Sequence, residues 1–254
     1  MTSTPRGYTQ LPSQADLFYF CTTLSTSEED LNIHHYPPSK SSLKIGVLLL
    51  GQERIQLLDL APVDMLAMIG RDRISQLNAP EPALYQAVDE LDIRYINERG
   101  EGASPVTSST RIPVTNSFDN SPELDILIIP GSFSADELPV SASEFITTQA
   151  SNPNLIAIMS ISSGVLSLVQ TGVLHERRAA APASQLAHLQ QRYPETSWQE
   201  TRWSRHGNLW SSSSAMTAMD MVTAWMREYF WDRSEAVECA LTAAGVAGLE
   251  EYDG

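Results

Sequence analysis

The segment Ile158-Met159-Ser160-Ile161-Ser162-Ser163-Gly164-Val165-Leu166 decides the fold. Residues 155 to 161 have the apolar pattern of a buried strand, and residues 163 to about 170 have the pattern of a helix. A strand that turns sharply into a helix lifts one side chain above the sheet, an arrangement called a nucleophile elbow. Ser162 stands at this turn. The alternative is that Ser162 and Ser163 only cap the helix, because serine is a preferred N-cap residue.

Strands and helices alternate on both sides of this segment. Residues 44 to 51 read as a strand buried on both faces, and residues 57 to 69 read as a helix with Pro62 in its first turn. Further elements are predicted as strands at 91–96, 124–129, 198–203 and 208–212, a hairpin or edge strand at 107–115, and helices at 216–230 and 234–244. This alternation predicts an α/β fold, a three-layer sandwich with a mainly parallel central sheet. Ligands of such sheets bind at the carboxyl ends of the strands.

The first 43 residues differ from the rest of the chain. They are rich in serine and threonine and end in a proline- and serine-rich stretch, which predicts a partly irregular N-terminal extension. We expect one α/β domain at residues 44–254. Leu17-Phe18-Tyr19-Phe20 is too apolar to stay in water, so we expect this part of the extension to pack on the domain or on a second subunit.

Composition excludes several classes of partner. The chain has 31 acidic and 16 basic residues and a formal net charge of −15, which disfavours binding to nucleic acid or to an anionic membrane surface. No apolar run is long enough to span a membrane, and no secretory signal pattern is evident. The two cysteines, Cys21 and Cys239, form no CxxC motif. We therefore expect a cytoplasmic protein without disulfides, metal or cofactor.

Two turns at predicted carboxyl ends carry candidate binding groups. Gly131 and Gly164 are candidate substrate-binding residues, and the N–H groups of Ser132 and Ser163 are candidate donors to a developing oxyanion. Phe133 and Trp203 would favour an apolar or conjugated substrate if they face the pocket. The alternative for the tryptophans is ordinary core packing.

Four collinear segments within roughly residues 44 to 231 resemble the ThiJ/PfpI superfamily, especially its fungal-type branch. They are KIGVLLL…LLDLAPVDML, LDILIIPG, IMSISSGVLSLVQTGVLHERRA and YPETSWQETRWSRHGNLWSSSSAMTAMDM. The resemblance implies a flavodoxin-like domain of the class I glutamine amidotransferase-like type, and it implies a homodimer. A fold of this kind hosts many reactions, so the resemblance alone does not fix the activity.

The sequence departs from the family pattern at the elbow. Ser162 occupies the position at which relatives carry a reactive cysteine. A helix dipole contributes at most about 2 kcal/mol, which helps to ionise a thiol but not an alcohol. A serine nucleophile would therefore need a general base. Relatives place a histidine shortly after the elbow helix, but residues 179 to 184 contain none, and the nearest alternatives are His188 and His206.

The resemblance also implies an acidic side chain beside the elbow. Asp59 is the best match and Glu53 the second, although Asp59 can also be read as a charge that complements a helix N-terminus. A missing cysteine with a retained acid favours hydration, dehydration, isomerisation or cyclisation by acid–base chemistry, of the lyase, isonitrile-hydratase or isomerase type. The alternative is a catalytically inactive binding or chaperone-like protein. A transcription regulator is disfavoured by the acidic charge and the absence of a helix-turn-helix pattern after residue 231.

Overall fold

Most of the predicted strands lie side by side in the structure, a computed structural model that describes residues 37–50, 55–132 and 137–246. The strands of the described residues are β1 (Ser42–Leu48), β2 (Glu90–Asn97), β3 (Ala103–Pro105), β4 (Arg111–Pro113), β5 (Asn116–Ser117), β6 (Ile126–Ile129), β7 (Ala157–Ile161), β8 (Arg178–Ala180), β9 (Ser197–Gln199), β10 (Trp203–His206) and β11 (Leu209–Ser212). The α-helices are α1 (Ala61–Ala67), α2 (Arg71–Gln76), α3 (Glu81–Gln86), α4 (Val140–Ala150), α5 (Val165–Gln170), α6 (Ala183–Arg192), α7 (Ala215–Tyr229) and α8 (Ser234–Ala243). Single 3₁₀ turns at Leu57–Leu60 and Ser162–Gly164 lead into α1 and α5.

The main sheet has the strand order β10-β11-β7-β6-β1-β2-β5 within the described residues. All of its pairings are parallel except β10 with β11. Two small two-stranded sheets, β3–β4 and β8–β9, lie outside it. The predicted α/β class with a mainly parallel central sheet is confirmed.

Helices cover both faces of the sheet. One buried apolar cluster joins the sheet to α1, α2, α3, α7 and α8, and includes Val47 and Met159. The other joins the opposite face to α4, α5 and α6, and includes Leu48 and Ile158. Neighbouring residues of one strand thus enter different clusters, because successive side chains of a strand point to opposite faces. This explains why β6, most of β7 and the second half of β1 are apolar without a gap.

Some elements differ from the expectation. The strand predicted at 198–203 is wrong: β9 pairs with β8, and the chain turns through polar residues 200–202 before β10 joins the main sheet. The helices α2, α3, α4 and α6 were not predicted. The hairpin or edge strand predicted at 107–115 is a hairpin that starts earlier, because β3 and β4 flank a turn at residues 106–110.

The start of the described chain is already tied to the domain. The backbone N–H of Ser39 donates to the Asp232 carboxylate at 3.2 Å, and that of Lys40 donates to the Tyr229 hydroxyl at 3.1 Å. These two residues belong to the segment that the sequence assigned to the extension. The apolar stretch predicted to pack, Leu17 to Phe20, lies outside the described residues.

Candidate active site

The carboxyl ends of the central strands bring three separate turns together. β1, β6 and β7 are parallel, so the chain leaves them at the same edge of the sheet. After β1 the chain reaches the 3₁₀ turn that contains Asp59, after β6 it passes through Gly131 and Ser132, and after β7 it enters the turn at Ser162. This edge is where ligands of parallel sheets bind.

Ser162 occupies a sharp, strained turn. Its φ angle is 53°, in the left-handed region that costs a non-glycine residue about 1–2 kcal/mol. Its side chain is half-buried and makes no hydrogen bond within the described part of the chain. Such strain is typical of the turn residue of a nucleophile elbow. The expected geometry at Ser162 is therefore present.

Gly164 allows the elbow to approach the neighbouring strand. A Cβ atom at this position would lie 2.1 Å from the Ile129 carbonyl oxygen, far inside van der Waals contact. The turn after β7 thus packs directly on the end of β6. No residue larger than glycine fits here without moving backbone.

Asp59 lies fully buried beside this elbow. Its relative accessibility is 0%, and its Oδ2 accepts a hydrogen bond of 2.8 Å from the backbone N–H of Gly131. Its Oδ1 is also buried and has no partner among the described residues. Burial raises the pKa of the Asp59 carboxyl to about 7, and the Gly131 N–H opposes this rise because it stabilises the carboxylate. The carboxyl can therefore gain or lose a proton near neutral pH.

Gly131 brings Asp59 close to Ser163. A Cβ atom on Gly131 would lie 2.6 Å from Asp59 Oδ2 and 2.6 Å from Ser163 Oγ, so the two oxygens are separated by no more than twice that distance. The Ser163 hydroxyl donates to the carbonyl oxygen of Ser132 at 2.9 Å. Asp59, Gly131, Ser132 and Ser163 thus form one connected polar group next to Ser162.

The other candidate residues lie at different distances from this group. Trp203 begins β10 and pairs with Ser212 of β11, and Ser212 pairs with Ile161 of β7. Trp203 therefore lies at the same sheet edge as the elbow, two strands away from β7. It is half-buried and stacks on Trp210 with ring centroids 5.5 Å apart. Phe133 and Glu53 lie outside the described residues.

The described histidines are poorly placed to serve as a base for Ser162. His206 pairs with Leu209 at the opposite end of β10 and β11, three residues along the strand from Ser212, or about 10 Å. Its Nδ1 accepts a long hydrogen bond of 3.4 Å from the N–H of Arg178. His175 and His188 are exposed. His34 and His35 lie outside the described residues.

One support of the Asp59 turn has no signal in the sequence. Thr107, in the turn of the β3–β4 hairpin, accepts a hydrogen bond of 3.2 Å from the Leu57 N–H through its side chain and donates its own N–H to the Ile55 carbonyl at 3.0 Å. Leu57 and Leu58, which precede Asp59, expose 37% and 50% of their surface. A hydrogen bond between residues 50 positions apart leaves no local pattern in the sequence.

The described residues contain no cluster of three or more histidine, cysteine, aspartate or glutamate side chains suited to hold a metal ion. None of their helices has the length and apolar character needed to cross a membrane.

A strained elbow and a buried acid at the carboxyl edge of a parallel sheet define a class of α/β proteins, and comparison with known proteins gives the family. Residues 66–228 match the sequence model of the DJ-1/PfpI family, and the chain belongs to this family. The resemblance to ThiJ/PfpI proteins is thereby confirmed. The matched range includes Gly131 and the elbow, whereas Asp59 precedes it.

Solved structures show the same fold. A ThiJ/PfpI family protein from Pseudomonas syringae is 18% identical, with a TM-score of 0.62 over 88% of this chain and 86% of that one. An AraC family transcriptional regulator from Pseudomonas putida is 17% identical, with a TM-score of 0.61 over 79% and 98%. DJ-1 from Schizosaccharomyces pombe is 15% identical, with a TM-score of 0.58 over 79% and 99%. A comparison with curated protein sequences gave no match.

Proposed function

We propose that the protein is a small-molecule enzyme in which Asp59 transfers protons and no covalent nucleophile takes part. It is a fungal-type member of its family, acts in the cytoplasm in secondary metabolism, and carries Ser162 where relatives carry their reactive cysteine. Its substrate is an apolar or conjugated metabolite. The reaction is a hydration, dehydration, isomerisation or cyclisation, of the lyase, isonitrile-hydratase or isomerase type.

The state of Asp59 is the observation that carries this proposal. Its carboxyl is fully buried, its pKa is raised to about 7, and Oδ1 has no hydrogen-bond partner in the described chain. A buried oxygen without a partner costs about 1–3 kcal/mol, and more if it is charged. A substrate group that exchanges a proton with Oδ1 would remove this cost. Strongly perturbed carboxyl groups of this kind are typical of catalytic sites.

Ser162 fits a role in orienting the substrate. A serine hydroxyl becomes a nucleophile only when a base removes its proton, and the described histidines lie too far away or face solvent. Its half-buried hydroxyl can hydrogen-bond to a substrate oxygen or nitrogen. A cysteine-protease mechanism needs a thiol at this position, and Ser162 has none.

Ser162→Ala is expected to lower turnover only about two- to tenfold, since it removes a single hydrogen bond worth roughly 0.5–1.5 kcal/mol. Steady-state kinetics of purified wild-type and variant protein measure this loss. Intact-protein mass spectrometry during turnover should show the unmodified mass. A covalent adduct on Ser162, together with an inactive Ser162→Ala variant, would make the serine a nucleophile.

Metabolite comparison can find the substrate and test the proposal together. Extracts of cells lacking the gene should accumulate the substrate, and a gene encoding the wild-type protein should remove it. A gene encoding Asp59→Asn should not. Rescue by Asp59→Asn at equal protein level would refute a proton-transfer role for Asp59.

A binding or chaperone-like protein without turnover is the second candidate. The complete burial of Asp59 favours it, because a substrate reaches the carboxyl only if the surrounding residues move. This candidate predicts that a small molecule co-purifies with the protein unchanged, and that deletion of the gene alters no metabolite ratio. Native mass spectrometry of the purified protein detects such a ligand.

We also propose a homodimer. Leu57 and Leu58 next to Asp59 and Met216 at the start of α7 are exposed apolar side chains, and the 3₁₀ turn at Leu57–Leu60 packs against α7. A second copy that covers this face would shield it from water. Light scattering at micromolar concentration should give twice the chain mass, and Leu58→Glu should give the monomer mass. A monomer of the wild-type protein would contradict this prediction.

A further inference from the structure

We propose that the Ser163 hydroxyl is a positioning group for Asp59: by binding the Ser132 carbonyl, it holds the turn whose Gly131 N–H binds the carboxylate. This inference rests on the proposed role of Asp59 as the proton-transfer group. The sequence suggested Ser163 only as a helix cap or as a substrate-binding residue, with its backbone N–H as the donor.

The turn after β6 is held from two sides. On one side the Gln56 N–H donates to the Gly131 carbonyl at 3.1 Å, and Ile55 forms an isolated antiparallel bridge with Ser132. On the other side the Ser163 hydroxyl donates to the Ser132 carbonyl at 2.9 Å. The first contact ties the turn to the segment that carries Asp59. The second is a side-chain tie between the turn and the elbow.

The hydrogen bond between this turn and Asp59 depends closely on the position of the turn. The Gly131 nitrogen lies 2.8 Å from Asp59 Oδ2. Asp59 Oδ2 and Ser163 Oγ fill the space that a side chain on the Gly131 Cα would need. A hydrogen bond weakens steeply when its distance and angle depart from the optimum. A small movement of the turn therefore changes how well the carboxylate is stabilised.

The electrostatic surroundings make this one amide important. Burial is the main cause of the raised pKa of Asp59, the Gly131 N–H opposes it, and no charged side chain of the described residues is a cause. Burial favours the neutral acid, whereas the amide favours the carboxylate. Without the amide in place, no other hydrogen bond from the described residues offsets the cost of burying the charge. The Ser163 hydroxyl therefore acts on proton transfer through the Gly131 amide.

Ser163→Ala should raise the pKa of Asp59 by about one unit, because loss of the tie weakens the hydrogen bond to the carboxylate. The measurement is a carbon-detected NMR titration of ¹³C-labelled full-length protein without substrate. The Asp59 resonance is assigned by its absence from Asp59→Asn. Ser163→Thr keeps the hydroxyl and should return the pKa to the wild-type value.

A matched control is available on α2. The Ser75 hydroxyl also donates to a backbone carbonyl, that of Asp72, at 2.8 Å, but it is exposed and both residues lie within α2. Ser75→Ala should leave the Asp59 titration unchanged. If Ser163→Ala does not fold, Ser163→Cys retains a weak donor and should give a smaller rise in the pKa.

The outcomes separate this inference from the proposed function. An Asp59 titration in folded Ser163→Ala that matches the wild type, or moves to lower pH, overturns the positioning role. A higher pKa in Ser163→Ala that Ser163→Thr reverses supports it. The titration needs no turnover, so an Asp59→Asn variant that remained active would refute the proposed function and leave the positioning result standing.

Discussion

Asp59→Asn is expected to lower turnover by about 10²–10⁴-fold, the usual contribution of a general acid or base. The amide has nearly the shape of the carboxyl group, and its carbonyl oxygen can still accept the hydrogen bond from the Gly131 N–H. It cannot exchange a proton with a substrate. The variant therefore removes the chemistry and retains the contact that orders the site.

The stability of the same variant supplies its control. The folded-state pKa of Asp59 is about 7 against an ordinary value of 3.8, so the folded protein binds this proton more tightly than the unfolded chain. The contribution of the protonated Asp59 carboxyl to the free energy of unfolding is greatest below about pH 4 and is lost as the pH rises through about 7. Asp59→Asn should thus be at least as stable as the wild type at pH 8, as measured by circular dichroism melting. A large loss of stability would mean that any loss of activity reflects unfolding.

Gly164→Ala is expected to destabilise the protein by about 3 kcal/mol or more, at or beyond the usual range for overpacking. The new methyl group would lie 2.1 Å from the Ile129 carbonyl oxygen, and neither backbone segment can rotate away as a side chain could. The elbow must therefore separate from the end of β6. We also expect Gly131 and Asp59 to lose their present alignment, because both depend on this edge of the sheet.

Gly207→Ala is the matched control for this prediction. Gly207 has a φ of 61° with open space around its Cβ position, so alanine there costs only the strain of a left-handed residue, about 1–2 kcal/mol. Chemical denaturation of the two variants measures the difference. Equal losses of free energy of unfolding would contradict the close contact between Gly164 and β6.

The sequence predicted the elements whose pattern is strong and local. β1, β6 and β7 are mostly apolar, and α7 has a long amphipathic pattern, so the sequence predicts each near its true bounds. The short helices α2 and α3 bury one residue each, Ile74 and Ala83, which is too little to give a period. The strand predicted at 198–203 is wrong because a polar turn at residues 200–202 separates two short aromatic segments.

The candidate site was predictable only in part. The strand-turn-helix pattern placed Ser162 at an elbow, and the positive φ angle there agrees with it. Asp59 was suggested by family resemblance, but its contact with Gly131 joins residues 72 positions apart and could not be deduced from either segment. The hydrogen bond from Ser163 to Ser132 is likewise a product of the folded sheet edge. The roles of these residues remain predictions.

The dependence of kcat/KM on pH tests the central claim most directly. With Asp59 as the proton-transfer group, wild-type activity should show an inflection near pH 7 and should fall about tenfold per pH unit on the side where Asp59 has the inactive protonation state. Asp59→Asn should have a low, flat profile over the same range. A wild-type profile that lacks this inflection, or an Asp59→Asn variant that keeps both it and the rate, would contradict the account.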